Sequence, residues 1–347
     1  MPKHIVLLTP GFPKNENDST IIPALQLFVK ALAEKQTDLN IKIIAFQYPF
    51  SEQKYQWHGI DVIALNGQNK RIHKIQTWLK VLKTLKRINK TEKIDVVHSF
   101  WLRECAFIGR LFTKKHKIKH LITAMGQDVL EGNRYFRFCS KHAKLITLSP
   151  FQKRILKTNY NVDSELIPWG INPREFNKTE EEKTIDILGV GSLNKVKNYP
   201  LFLRLIARLH QKGYKLNVEI LGGKTNEFQA LKHIKSVSLQ EVIHLSGELK
   251  REDVLKKMAK AKVLLHTSTF ESFGMVFIEA LYSGMKIVSH QVGIAKTSPN
   301  WYVCKHENEM ETALLEALKT KSENKNELRF DVNETVNSYL ELYLGNV

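Results

Sequence analysis

Residues 268–281 read Ser268-Thr269-Phe270-Glu271-Ser272-Phe273-Gly274-Met275-Val276-Phe277-Ile278-Glu279-Ala280-Leu281 and follow directly on the apolar run 263–266. The order is strand, glycine-bearing turn, helix start. In an open α/β sheet such turns lie beyond the carboxyl ends of the strands, where ligands bind. The amides around Phe273, Gly274 and Met275 fall at a helix N-terminus, where unpaired N–H groups and the macrodipole suit a phosphate. Gly274 lets the backbone approach it closely. Glu279 follows Glu271 by eight positions, slightly over two helical turns, so both carboxylates are directed toward one crevice, one for a sugar and the other for a ribose. A second reading stays open on spacing alone, because Glu near a helix N-terminus is common for dipole reasons.

Outward from this stretch, apolar runs alternate with helical patterns. Residues 185–190, 216–221, 242–245, 263–266 and 286–289 read as strands, with helices at 199–212, 228–236, 251–260 and 275–283. The first half has the same rhythm, with strands at 5–8, 41–46, 94–98 and 121–124 and helices at 21–33 and about 70–90. Strands separated by single helices make parallel β-α units, so the predicted class is α/β. The cluster Ile167-Pro168-Trp169-Gly170-Ile171-Asn172-Pro173, followed by the charge run Glu180-Glu181-Glu182-Lys183, marks a domain boundary. Val332, Val336, Leu340 and Tyr343 predict a terminal amphipathic helix.

The length of 347 residues exceeds what one core usually organises, and 43% hydrophobic with 25% charged residues is an ordinary globular composition. Cys105, Cys139 and Cys304 are far apart, which argues against a disulfide framework or a thiolate zinc site and for a reducing compartment. The N-terminus is too short for a signal h-region and no apolar run approaches the roughly 18 residues a membrane span needs. A cytoplasmic protein is expected. Net charge is +18, unevenly spread: residues 1–175 hold 29 basic and 14 acidic side chains, net +15, and residues 176–347 hold 24 and 21, net +3. Such an excess implies an anionic partner. Residues 70–93 carry nine Lys/Arg and one acid, Glu92, with Ile72, Ile75, Trp78, Leu79, Leu82, Leu85 and Ile88 forming an apolar stripe. Cations beside an apolar face suit an anionic bilayer, each contributing about 1 kcal/mol near the headgroups. The same stripe equally packs a helix onto a sheet.

Glu271-x7-Glu279 in its context, continuing to Ser283-Gly284-Met285-Lys286-Ile287-Val288-Ser289, resembles the signature of the family 4 retaining glycosyltransferases. Four more segments fall in that family's order. Val190-Gly191-Ser192-Leu193-Asn194-Lys195-Val196-Lys197-Asn198 resembles the first loop of the donor domain, with Lys197 at the lysine that binds the donor diphosphate and Ser192 where an arginine is usual. Residues 167–173 resemble the Pro-x-Gly-Val-Asp hinge. Asp95-Val96-Val97-His98 resembles the strand leading to the acceptor side. Ile122-Thr123-Ala124-Met125-Gly126-Gln127-Asp128 resembles the Thr-x-His-Gly-x-Asp loop, with Met125 replacing the family's histidine. A thioether cannot supply that histidine's hydrogen bond, which leaves its role vacant or open to another group such as Gln127 or His98. Gly11 keeps one glycine of the family's first loop.

The resemblance implies the GT-B fold, two Rossmann-like doubly wound domains facing across a cleft: an acceptor-binding domain at 1–172, a nucleotide-sugar domain at 173–328, and a helix at 329–347 crossing back to the first. It implies retaining transfer from a nucleoside-diphosphate sugar to an acceptor hydroxyl, with no further cofactor and no metal. Glu271, Lys197 and His98 are the candidate catalytic residues. Gly191, Ser192, Lys197, Phe273, Gly274, Met275 and Glu279 would bind donor, and Gly11, Gly126, Gln127 and Asp128 would serve the acceptor. Residue by residue, plainer readings remain: Lys197 as one solvated cation among many, His98 as a hydrogen-bonded structural residue, Asp128 as a cap of the next helix. The expected setting is synthesis of envelope polysaccharide, lipopolysaccharide or glycolipid at the inner face of the plasma membrane, with a glycan or lipid-linked acceptor and an anionic membrane surface as partners. Two alternatives are a catalytically impaired GT-B protein acting as a binding or assembly partner, motivated by Met125 and Ser192, and a nucleic-acid binder. No zinc-finger spacing, RNA-binding strand or helix-turn-helix pattern supports the latter, so no nucleic acid is expected.

Overall fold

The computed structural model describes residues 3–36, 38–139, 143–176, 181–223, 239–320 and 326–345. The chain forms two compact units, Met1–Trp169 with Val332–Val347, and Gly170–Asp331. The first contains strands β1 (Lys3–Gly11), β2 (Leu39–Tyr48), β3 (Glu52–Trp57), β4 (Ile60–Leu65), β5 (Val96–Phe100), β6 (Lys119–Thr123), β7 (Lys144–Thr147) and β8 (Glu165–Leu166). The second contains β9 (Ile185–Val190), β10 (Val218–Leu221), β11 (Ile243–Gly247), β12 (Ala261–His266), β13 (Lys286–His290) and β14 (Trp301–Cys304). The described helices are α1 (Pro23–Lys35), α2 (Lys74–Thr91), α3 (Glu104–His116), α4 (Phe136–Cys139), α5 (Pro150–Tyr160), α6 (Tyr199–Gln211), α7 (Arg251–Ala259), α8 (Met275–Tyr282), α9 (Glu307–Lys319) and α10 (Val332–Leu344). The helix expected at 228–236 lies outside the described residues.

Sheet order is 3-4-2-1-5-6-7-8 in the first unit and 11-10-9-12-13-14 in the second. All pairings are parallel except β3–β4. In each unit the connections run one way from the first strand and then reverse, which places a topological switch point between β1 and β5 and another between β9 and β12. Ligand crevices form at such points. The β3–β4 hairpin escaped the sequence reading because its outward positions are Glu52, Lys54 and Gln56, which leave only a faint apolar alternation. Its turn residues, His58 and Gly59, both have positive φ, 46° and 78°, the backbone that two-residue hairpin turns need.

Parallel strands bury both faces, and Leu7, Leu8, Val97, Leu188 and Leu264 are each no more than 1% exposed. In the second unit α6 and α9 lay Phe202, Leu205, Leu209, Met310 and Leu314 on Ile187, Val263 and Leu265. In the first, Val81, Leu85 and Ile88 of α2 meet Ile44, Phe46, Ile108 and Phe112. This divides the apolar stripe expected on that helix. Its outward residues Ile72, Ile75 and Leu79 are exposed, because the core needs only the side bearing Val81, Leu85 and Ile88.

The unit boundary falls at Trp169/Gly170 and again at Asp331/Val332, a few residues from the expected 172/173 and 328/329. Ile171 N–H donates to Phe330 O at 3.0 Å and pairs with Asp331 in a parallel bridge, so both crossing segments belong to the second unit by hydrogen bonding. The helix α10 returns to the first unit. It packs on α1, and Thr335 Oγ1 donates to Pro168 O at 2.9 Å.

His98, expected as a catalytic residue, is a structural one. It is fully buried. Its Nδ1 lies 2.6 Å from Tyr343 Oη and its Nε2 2.8 Å from Thr123 Oγ1, which in turn lies 2.8 Å from Tyr339 Oη. The imidazole thus fastens α10 to β5 and β6, and burial holds its pKa well below the ordinary histidine value. His120 is also buried and neutral. The Ser99 hydroxyl donates to Cys105 O at 3.1 Å and so accepts from His120 Nε2–H at 2.9 Å, leaving Nδ1 bare. Burial, with Arg110 adding to it, drops the His120 pKa to about 3.

A depressed histidine pKa contributes stability above the unfolded value of about 6.5 that is lost as pH falls toward the folded one, because only the unfolded chain takes up the proton. Urea midpoints of the first unit's transition should therefore fall from pH 6.5 to 5. His120→Gln should reduce that slope by about 1.4 kcal/mol per pH unit; an unchanged slope would refute the assignment.

Candidate active site

At the second unit's switch point two loops are laced together. Gly191 turns the chain after β9 with φ 138°, and its N–H donates to Leu221 O at 2.9 Å. Asn194 Oδ1 accepts from Lys197 N–H at 3.1 Å, closing the short turn that carries Lys197. The loop after β12 then ties to it: Thr267 Oγ1 donates to Lys197 O at 2.9 Å and Thr269 N–H to Val196 O at 2.9 Å. This lacing brings Lys197 and Glu271, 74 positions apart, into an ion pair with side chains 22% and 15% exposed. His266 Nε2 lies 2.9 Å from the same carboxylate oxygen. Burial alone would raise the Glu271 pKa; Lys197 and His266 outweigh it and hold the carboxyl down to about 2. Burial also keeps His266 below the usual histidine range, against the pull of Glu271.

Gly274 ends the loop with φ 93°, and α8 starts at Met275. A Cβ on Gly274 would lie 2.4 Å from the Phe277 ring, so this turn requires glycine. The amides of Met275 and Val276, the first two of α8, have no acceptor within the helix, which suits an anion, while Phe277 N–H donates to Gly274 O at 3.0 Å. Phe273 is 2% exposed and supports the turn from below. Ser192 is exposed beside Gly191.

Glu279 does not stand free. Its carboxylate is 2.5 Å from Arg251 Nη1, and Arg251 Nε lies 3.0 Å from Glu175. Despite the cost of burial, these two acids raise the Arg251 pKa above its ordinary value. The sequence reading missed Arg251, although its place at the first position of α7, where the macrodipole disfavours a cation, is a signal that an acid partner must be near.

In the first unit the structure separates the expected residues. Gly11 is buried, and a Cβ on it would lie 3.4 Å from Tyr48 Cβ. Gln127 is exposed and Gly126 half-buried. Asp128 is fully buried and points inward, accepting from Leu102 N–H at 2.6 Å, Gly126 N–H at 2.9 Å and Met125 N–H at 3.3 Å. It is therefore a positioning residue for the loops after β5 and β6, neither an acceptor contact nor a helix cap. Burial raises its pKa, opposed by those amides. Asn133 repeats the function with Nδ2 at 2.7 Å from both Leu102 O and Asp128 O. Gln152 joins α5 to the same loop through Ala124 O at 3.1 Å. Asp128→Asn turns one acceptor oxygen into a donor facing N–H groups, and a loss of about 2 kcal/mol in unfolding free energy is expected from denaturant titration. A change below 0.5 kcal/mol would show that the amides find other partners.

Trp101, also missed, follows β5 with φ 69°, a costly backbone for a bulky residue, and its Nε1 lies 3.6 Å from where a Gly126 Cβ would be. It places backbone strain in this loop at the first unit's carboxyl edge, as Ile22 with φ 48° does in the loop after β1. Among the described residues no three His, Cys, Asp or Glu side chains come together in a way that could hold a metal ion.

Residues 172–329 match the family model for glycosyl transferases group 1, and residues 21–166 match glycosyl transferase 4-like. The chain belongs to the group 1 glycosyltransferases of the family 4 type, which have the GT-B fold. An uncharacterized glycosyltransferase of Methanocaldococcus jannaschii is 24% identical over 281 residues, 78% of this chain and 76% of that one. The Campylobacter jejuni N-acetylgalactosamine-N,N'-diacetylbacillosaminyl-diphospho-undecaprenol 4-alpha-N-acetylgalactosaminyltransferase is 36% identical over 102 residues, 29% of this chain and 27% of that one. Anabaena HepE, solved in complex with UDP and glucose, superposes with a TM-score of 0.75 at 15% identity, covering 99% of this chain and all of that one. The protein is accordingly a glycosyltransferase that uses nucleotide sugars.

Proposed function

We propose that this glycosyltransferase retains anomeric configuration, works without a metal ion, and binds its donor at the laced loops of the second unit. The observation that carries the reading is the Lys197–Glu271 pair, with His266, held beside the glycine-capped start of α8. In this scheme Lys197 and the first amides of α8 offset charge on the departing diphosphate. Glu271 orients the sugar, and Glu279, steadied by Arg251, addresses the ribose hydroxyls. The C1–oxygen bond to phosphate breaks as the acceptor oxygen bonds C1 from the same face, and the leaving phosphate takes the acceptor's proton. The products are the glycosylated acceptor and the protonated nucleoside diphosphate.

The basic first unit supports a glycan or lipid-linked acceptor in envelope polysaccharide, lipopolysaccharide or glycolipid synthesis, at the inner face of the plasma membrane. The C. jejuni relative, named for a diphospho-undecaprenol substrate, fits that class. A thermal-shift screen of UDP-, GDP- and ADP-sugars tests the donor site, because a ligand of the folded state raises its stability. Binding should be lost in Lys197→Ala and unaffected by EDTA. NMR of the product should show the donor's anomeric configuration; inversion, or a requirement for divalent metal, would overturn the scheme.

A further inference from the structure

Eight large hydrophobic side chains are exposed among the described residues, and five of them, Ile72, Ile75, Leu79, Leu111 and Phe138, belong to α2 with its leading turn, α3 and α4. The exposures of Ile72, Ile75 and Leu79 are 82%, 70% and 62%, above the 42% to 47% of the exposed leucines Leu111, Leu328 and Leu344. Their spacing of three and four puts them on one outward side. The three elements are joined through Phe107, whose ring centroid lies 5.3 Å from Trp78 and 5.7 Å from Phe138, and Leu111 sits one turn further along α3. Lys74 fixes the start of α2 against α3 by pairing with Glu104 at 2.5 Å.

One turn beyond Leu79, the same outward side of α2 changes from aliphatic to cationic. Lys83, Lys86 and Lys90 are exposed and, with Arg87, form no ion pair among the described residues. Between α2 and the β3–β4 hairpin runs a groove of about 760 Å³, lined by Lys54, Lys80, Lys83, Lys86, Arg87 and Lys90 over a floor of Ile63, Ala64 and Leu65. Glu52, paired with Lys80 at 2.5 Å, is the acid that lines it.

We infer that this face docks on an anionic bilayer: Ile72, Ile75, Leu79, Leu111 and Phe138 enter the headgroup boundary while the groove lysines gather lipid phosphates. This names the surface behind the membrane-side reading above and rests on it. An exposed apolar patch this concentrated marks an interaction surface. Cations flanking it match a negatively charged sheet of headgroups, as in helices that lie in the interface. A second copy of the chain would bring the same lysines against each other, and Ile and Leu offer nucleic-acid bases no stacking surface. No described helix is long and apolar enough to cross a membrane.

The test uses the full chain, floated with phosphatidylcholine vesicles with or without 30% phosphatidylglycerol. Binding only to the anionic vesicles is expected, with partitioning reduced at least tenfold in Ile75→Asp/Leu79→Asp and separately in Lys83→Glu/Lys86→Glu/Lys90→Glu. Equal binding by the wild type and either variant would overturn the inference. So would a wild-type dimer that Ile75→Asp/Leu79→Asp disperses, or competition by millimolar inorganic phosphate with binding indifferent to the aliphatic pair. Nucleotide-sugar stabilisation, measured on the same variants, should be unchanged, so failure of docking is distinguishable from failure of the donor-site reading.

Discussion

Lys197→Ala is expected to lower kcat/KM for glycosyl transfer by about 10²–10³-fold, the cost of removing one preorganised charge from a site where anionic charge develops. The pair with Glu271 positions the ammonium before donor arrives, so the loss should fall on kcat as well as on KM. Stability changes too, in a predictable direction. The Glu271 carboxyl is held at about 2, below its ordinary 4.5, so the pairing contributes about 3 kcal/mol at neutral pH. That contribution is complete above pH 4.5 and lost as pH falls toward 2. Lys197→Ala should remove much of it and raise the Glu271 pKa, whereas Glu271→Gln should remove this carboxyl's share of the pH dependence across that window. Steady-state kinetics with the cognate donor, beside unfolding midpoints at pH 7 and 3, separates the two effects. A fall in kcat/KM of less than tenfold in Lys197→Ala would remove the ammonium from the mechanism.

Gly293→Ala is expected to destabilise the second unit by about 3 kcal/mol and to weaken donor binding, although position 293 belongs to no motif. Its φ is 58°, which costs an L-residue about 1 kcal/mol. An added Cβ would lie 2.2 Å from Phe273 O and 3.1 Å from Glu271 Cβ. Backbone cannot swing aside as a side-chain end can, and Ile294 N–H already donates to that carbonyl at 3.0 Å. The strain must therefore pass into the loop carrying Glu271 and Gly274. Calorimetry and nucleoside-diphosphate titration check both consequences. Unchanged stability would show that the loop after β12 relaxes freely, contrary to its lacing with the Lys197 loop.

The strands β1, β2, β5, β6 and β9 to β13 were legible because buried parallel strands are short apolar runs between helical periods, and 263–266 with the turn to Gly274 is a clear example; β7, β8 and β14, of two to four residues each, were too short to stand out. The β3–β4 hairpin was not legible, since its polar outward residues dilute the alternation. Glu271 and Gly274 entered as candidates through the local order of strand, turn and helix, and Lys197 through the resemblance of its loop to the family's. Arg251, Asn133, Gln152, Trp101 and Gly293 did not, because each acts through a partner distant in sequence or through a backbone angle that leaves no mark on composition. His98 shows the opposite error. A histidine at a strand end reads as a candidate base until Tyr343, 245 positions later, is found on its ring.

By itself the sequence determined what depends on neighbours along the chain: the strand and helix periods, the two-domain division near residue 170, the glycine turn at 274, and a charge excess concentrated in the first half. Tertiary structure decided what depends on partners far apart. It joined Lys197 to Glu271, bound Glu279 to Arg251, assigned His98 and Asp128 to scaffolding, and divided the α2 stripe into a packed side and a bare one. Periodicity shows that a helix has an apolar side; only packing shows how much of that side the core can cover.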